Sequence, residues 1–127
     1  MSTDNIELTL PVNAAYISAA RLTASSVANR LGFAIEEIED IKTAVSEACT
    51  FIIAKTNSKN PFKLMFKPQK NCVSITFNVK GIFNPNIMQN ETSILMIKAL
   101  MDDIKVNEEN DNFIITLTKN HNVISFD

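Results

Sequence analysis

Glycine is scarce in this chain: two occur among 127 residues, beside four prolines. So few chain-breaking residues, with no repeat or biased tract, exclude a disordered or low-complexity polymer. Histidine occurs once, as His121, in a polar stretch near the end. With no His or Cys neighbour at ligand spacing, a zinc site has no support, and no metal site is expected. Cysteine occurs twice. Cys49 falls inside a helical pattern and Cys72 opens a strand pattern. Both read as small buried hydrophobes in a reducing compartment, with a disulfide or metal pair as the lesser alternative. No basic stretch stands out, the formal charge is −2 and the pI about 5.4. Nucleic acid is therefore not expected as a direct partner. The apolar runs are too short to span a bilayer. The opening Met1-Ser2-Thr3-Asp4-Asn5 has neither a basic region nor an apolar one, so it does not read as a secretory signal. A cytoplasmic protein with no membrane partner is the expectation.

Apolar residues make up 46% of the chain and charged residues 20%. That suffices for one sizeable core, and residues 1–127 are read as a single domain. Ile6-Glu7-Leu8-Thr9-Leu10 alternates as a half-buried strand does, and Pro11 stops it. Asn13 is a candidate N-cap for a helix reaching Leu31, with Ile17, Ala20, Ala24, Val27 and Leu31 at helical spacing. Gly32 is a C-cap signal. A second helix is predicted from Ala34 to Lys55. Glu36, Glu37, Glu39 and Asp40 crowd its first turns, where the helix dipole favours negative charge. Ile38, Ile41, Val45, Ala48 and Ile52 form its core stripe.

Phe62 to Phe66 and Cys72 to Val79 read as strands joined by a turn at Pro68-Gln69-Lys70-Asn71. A loop follows from Gly81 to Asn90, then a helix over Thr92 to Met101 with Ile94, Ile97 and Leu100 or Met101 facing inward. Ile104-Lys105-Val106 and Phe113 to Thr118 complete a hairpin around Asn107 to Asn112. The order β-α-α-β-β-α-β-β predicts an α+β fold, a two-layer α/β sandwich with a mixed or antiparallel sheet. The methionines, including Met65, Met88, Met96 and Met101, read as core filler.

Three stretches resemble bacterial anti-sigma factors: Arg21-Leu22-Thr23 through Gly32-Phe33, Ile38-Glu39-Asp40-Ile41-Lys42-Thr43-Ala44-Val45-Ser46-Glu47-Ala48-Cys49-Thr50, and Leu100-Met101-Asp102-Asp103. That family comprises serine-protein kinases of the GHKL (gyrase, chaperone, histidine kinase, mismatch repair) ATPase superfamily. The resemblance runs from about Ile6 to Lys119. It implies a histidine-kinase-like ATPase fold, a mixed sheet covered on one face by three helices. It also implies a sigma factor or an anti-sigma antagonist protein as partner, a homodimer, and ATP with Mg²⁺ as the family's cofactors.

The family's ATP site can be followed position by position. Glu47 matches the general base. Four residues on, where the family has an asparagine that ligates Mg²⁺, stands Phe51. A benzyl ring offers no lone pair to a cation that requires oxygen ligands. Thr50 points about 100° away around the helix and cannot substitute for it. Lys55 takes the polar position four residues further on. Where the family has Asp-x-Gly to read adenine, Val79, Lys80 and Gly81 stand, so the glycine remains and the carboxylate is gone. The phosphate-binding glycine-rich turn corresponds to Asn90-Glu91-Thr92-Ser93-Ile94, which has no glycine. Glu91 would set a negative charge beside the polyphosphate and repel it. Only Ile82 to Asn90 remains of the lid.

The degenerate pocket is thus Glu47, Phe51, Val79, Gly81, Glu91 and Ser93. No catalytic residue and no bound cofactor are expected. Glu47 is read as a vestigial base and Phe51 as filling the volume nucleotide would occupy. Arg21 and, more weakly, Arg30 match arginines on the family's partner-contacting helix. The resulting expectation is a regulatory binding protein that sequesters a sigma factor or related regulator without ATP turnover. Two alternatives stand beside it: an active serine-protein kinase with an atypical site, and a non-catalytic dimer partner of an active paralogue.

Overall fold

The computed structural model describes residues 4–81 and 91–121. Strand β1 (Ile6–Leu10) leads through a short 3₁₀ turn at Ala14–Tyr16 into helix α1 (Ile17–Arg30). Asn13 caps that turn, its side-chain oxygen accepting from the Ala15 N–H at 2.9 Å. The residues predicted to begin the helix are therefore 3₁₀, and α1 starts one turn later. Gly32 ends α1 with φ at +82°. The Phe33 N–H reaches the Ala28 carbonyl and the Gly32 N–H reaches that of Asn29. These two bonds make a Schellman motif, which satisfies carbonyls that the helix end would leave open.

Helix α2 (Ile35–Lys55) follows at once. Its entry is tied by Glu37, whose Oε1 accepts from the Ala34 N–H at 2.8 Å. The buried face of α2 is wider than the predicted stripe, adding Ala44, Cys49 and Phe51. The physical cause is position. α2 packs against both α1 and helix α3 (Thr92–Leu100), and its buried side chains share one core cluster with those of the sheet.

Strands β2 (Phe62–Gln69), β3 (Cys72–Lys80), β4 (Asp103–Glu109) and β5 (Asn112–Asn120) complete one five-stranded sheet in the order β1-β2-β3-β5-β4. Every pairing is antiparallel, which corrects the expectation of a mixed sheet. The α3 crossover does make β3 and β4 run the same way. However, β5 inserts between them, so no parallel pair forms. β2 continues to Gln69 through Pro68, where the sequence predicts a turn. β1 pairs only as far as Phe66, so Pro68 lies past the end of its neighbour, where a strand tolerates a missing N–H. The turn is the pair Lys70-Asn71, with Asn71 at φ +65°. Asn110 and Asp111 also adopt positive φ. Such a two-residue turn matches the strand twist, and it extends β4 and β5 beyond the predicted hairpin.

Alternation fixes which side of the sheet is covered. Leu64, Phe77 and Ile115 are adjacent across three strands, as are Phe66, Ile75 and Leu117, and all six are fully buried. Their neighbours Met65, Thr76 and Thr116 stand on the opposite, half-exposed face. The helices therefore cover one face, and the core lies between the two layers. Met101 joins that core, whereas Met96 is 39% exposed and is not core filler. Met88 and the loop over 82–90 lie outside the described residues. No helix among those described is long and apolar enough to cross a membrane.

Both cysteines are free. Burial pushes the Cys49 thiol up to about 12, against the opposing pull of Arg21's positive charge. A buried, protonated thiol is a poor nucleophile. A disulfide reagent at pH 8 should therefore modify half-buried Cys72 in the native protein and reach Cys49 only after unfolding. Rapid native modification of both would contradict this packing. The sign of the linkage also follows. Between the unfolded value of 9.0 and the folded one of about 12, the folded state holds more protons. The thiol's contribution to stability is then complete below pH 9 and is lost as pH rises through that window.

Candidate functional site

The site is built on the side of α2 that faces α3. Glu47, Phe51 and Lys55 recur every four residues, so they form a row along one flank of the helix. Opposite them lies the N-terminal end of α3. Glu91 is the α3 N-cap residue in extended conformation, and its side chain makes no capping bond. It turns instead to Lys55, whose Nζ lies 2.9 Å from Glu91 Oε1, each side chain about one-third exposed. Two residues on, Ser93 Oγ donates to Glu47 Oε2 at 2.9 Å. Two polar contacts thus cross the α2–α3 seam, joining the α2 row to the stretch that the resemblance matches to the family's glycine-rich turn.

Between these contacts in the α2 row comes Phe51, only 2% exposed. Val79, near the end of β3, is 1% exposed and belongs to the same apolar cluster. Full burial of a phenylalanine contributes roughly 1.5–3 kcal/mol. Phe51 and Val79, the two residues that the resemblance sets against the family's metal and adenine ligands, are therefore apolar in chemistry and interior in location. Gly81 ends β3 with φ at +128°. Its N–H donates to the Asp111 carbonyl at 2.7 Å, and a Cβ placed there would meet nothing within 4 Å. Its lack of a side chain thus serves the backbone angle, not the close approach of a neighbour.

Glu47 is half-buried and engaged by its own chain. A general base needs its acceptor within hydrogen-bond reach of a substrate proton. Here one carboxylate oxygen already accepts from Ser93. The expected repulsion between Glu91 and a polyphosphate is recast by the structure, because Lys55 neutralises Glu91. Lys55 stands in the predicted row, but its partner cannot be read from the sequence. Only the docking of α3 brings residues 55 and 91 together.

The sequence pairs Arg21 and Arg30 as partner-binding candidates, and the fold separates them. Nine residues on a helix turn the chain by about 900°, which leaves the two side chains on opposite flanks of α1. Arg21 faces α2, where its Nε donates to Ser46 Oγ at 2.9 Å. Ser46 in turn donates to the Lys42 carbonyl. Arg30 lines a cavity of about 130 Å³ with Asp4, Ile6, Val27, Leu31 and Pro68.

Two further polar features carried no sequence signal. Lys119 on β5 donates to the Leu100 carbonyl at 2.6 Å, at the C-terminal end of α3, and lies 3.4 Å from Asp40 of α2. His121, which reads as part of a polar tail, is instead tucked against Phe33, with ring centroids 4.9 Å apart. Its Nδ1 lies 3.4 Å from Glu37 Oε1. No group of three or more His, Cys, Asp or Glu among the described residues could hold a metal ion.

Comparison with known proteins places this geometry. A model of the histidine kinase-like ATPase domain matches residues 10–119. Serine-protein kinase RsbW of Bacillus cereus (strain B4264) is 33% identical over 123 residues, covering 81% of this chain and 77% of that protein. Serine-protein kinase RsbW of Bacillus thuringiensis (strain Al Hakam) matches to the same extent. Among solved structures, the RsbU and RsbW domains of Rv1364c from Mycobacterium tuberculosis superpose with a TM-score of 0.75 at 16% identity. That match covers 93% of this chain and 32% of the other. The SiaB-SiaC complex from Pseudomonas aeruginosa gives 0.60 at 10% identity, covering 90% of this chain and 88% of that one. At those identities the two structures speak for the fold alone. The matched model and the RsbW relatives carry more: this chain belongs to the histidine kinase-like ATPase domain family, among the relatives of the RsbW serine-protein kinases.

Proposed function

We propose that this protein acts by binding, as an anti-sigma-factor-like regulator that sequesters a sigma factor or related regulator without turning over ATP, with a sigma factor or an anti-sigma antagonist protein as its partner. The observation that carries the reading is Phe51, buried in the α2 row where the family's metal-ligating asparagine would stand. Mg²⁺ takes a near-ideal octahedron of oxygens, and Phe51 has none to give. Val79 likewise offers no acceptor to an adenine amino group. Neither residue fits the family's cofactors. Arg21, exposed on α1 and bonded to Ser46 of α2, is the residue proposed to meet the partner; Arg30 stands on the opposite flank of the helix.

Without phosphoryl transfer, release of the partner requires direct competition by another protein. Two points favour the kinase reading: the relatives are named serine-protein kinases, and Glu47 stands where the resemblance puts the base. The two readings differ in a simple measurement. A ligand present at 100 times its Kd raises stability by about 2.7 kcal/mol. Millimolar Mg·ATP is expected to leave the thermal midpoint unchanged, while affinity capture from the native cell retains a sigma factor or antagonist. A nucleotide-dependent rise of several degrees, with phosphate appearing on a serine of the captured protein, would establish the kinase instead.

A further inference from the structure

We propose that the Ser93–Glu47 and Lys55–Glu91 contacts form a built-in latch that holds α3 against α2. The inference rests on the reading of this seam as closed to nucleotide, and it adds how the closed arrangement is maintained. α3 has nine residues, too few to be stable as an isolated helix. Its N-cap side chain makes no capping bond. Its fully buried anchors are Ile94 and Ile97, with Met101 just beyond the helix end. A helix this short needs its ends held as well as its apolar face buried. Lys119 holds the C-terminal end through the Leu100 carbonyl. Among the described residues, the side-chain contacts that hold the N-terminal end are the two to α2.

The chemistry suits that end of the helix. Glu47 brings a carboxylate to Ser93, the second residue of α3, where the helix dipole favours an anion. Glu91 would add a second negative charge beside it, and Lys55 compensates that charge at 2.9 Å. A single ion pair with both partners one-third exposed stabilises little. Here it acts together with the serine–carboxylate bond, and both contacts join the same two elements. Their joint effect falls on local opening of α3 and leaves global stability nearly untouched. A regulator latched in this way presents one fixed α2–α3 surface at all times.

Amide hydrogen exchange on the free protein tests this directly. Lys55→Glu places two carboxylates face to face and should raise exchange of the α3 amides about fivefold. Adding Glu91→Lys to the same chain should restore the wild-type rate to within about twofold. Ser93→Ala should raise the same amides, and amides of β3 and β5 should not respond to any of these changes. Unchanged α3 exchange in both Lys55→Glu and Ser93→Ala would overturn the latch. So would a rise shared equally by β3 and β5, because the contacts would then support the whole fold and not one helix. Failure of the nucleotide reading is visible separately, as added protection of α3 in wild-type protein on addition of Mg·ATP.

Discussion

Replacing Phe51 with asparagine is expected to destabilise the protein by about 4 kcal/mol and to gain no nucleotide binding. Truncating a buried phenylalanine costs about 3–5 kcal/mol through lost transfer energy and the cavity left behind. An amide placed there adds polar groups to an interior that has no buried polar or charged residue among those described. An unpaired buried amide costs a further 1–3 kcal/mol or so, offset in part where water enters the space. For a chain of this length a 4 kcal/mol loss lowers the thermal midpoint by roughly 16 °C. The substitution restores the family's residue at this position and nothing else. Val79 remains without an acceptor, and Glu47 and Glu91 remain engaged by α3 and Lys55. Thermal denaturation with and without Mg·ATP checks both halves. A Phe51→Asn variant that melts like wild type, or one that Mg·ATP stabilises, would show that this part of α2 is not core.

Phe77→Ala is expected to cost a similar 3–5 kcal/mol or so, whereas Asn78→Ala, one residue along, should change stability by no more than about 0.5 kcal/mol. β3 is the central strand of the sheet. Phe77 is fully buried between Leu64 and Ile115. Asn78 points to the opposite face and is exposed. Urea denaturation of the two variants reads the difference as separate midpoints at a common slope. Equal costs would mean that both faces of the sheet are covered, which contradicts a two-layer fold.

Much of this architecture is legible along the chain. The β1 alternation, the paired helical stripes and the Gly32 stop are local signals, set by residues within one or two turns of each other. The sequence is less informative where an element's surroundings set the outcome. Pro68 reads as a turn residue, and only the short reach of β1 lets it stay in a strand. Ala44 lies off the predicted apolar stripe of α2, and it is fully buried in a helix that packs against both α1 and α3. The last hairpin is legible, but its strands run longer than their apolar alternation, up to the positive φ of Asn110 and Asp111. The antiparallel sheet depends on β5 inserting between β3 and β4, a choice of pairing that periodicity does not encode.

The candidate site divides in the same way. The four-residue spacing of Glu47, Phe51 and Lys55 is a property of the helix, so the sequence determined by itself that one flank of α2 carries a carboxylate, a ring and an ammonium group. It also determined that Phe51 and Val79 have no oxygen to offer a metal or a base. What those groups touch was decided only in three dimensions. Ser93 meets Glu47 across 46 positions of chain and Glu91 meets Lys55 across 36, and Arg21 and Arg30 part company on opposite flanks of α1. Side-chain chemistry is written in the residue, but a partner distant in sequence is supplied by packing, since burying the apolar faces of α2 and α3 against one sheet sets which polar groups face each other at the rim.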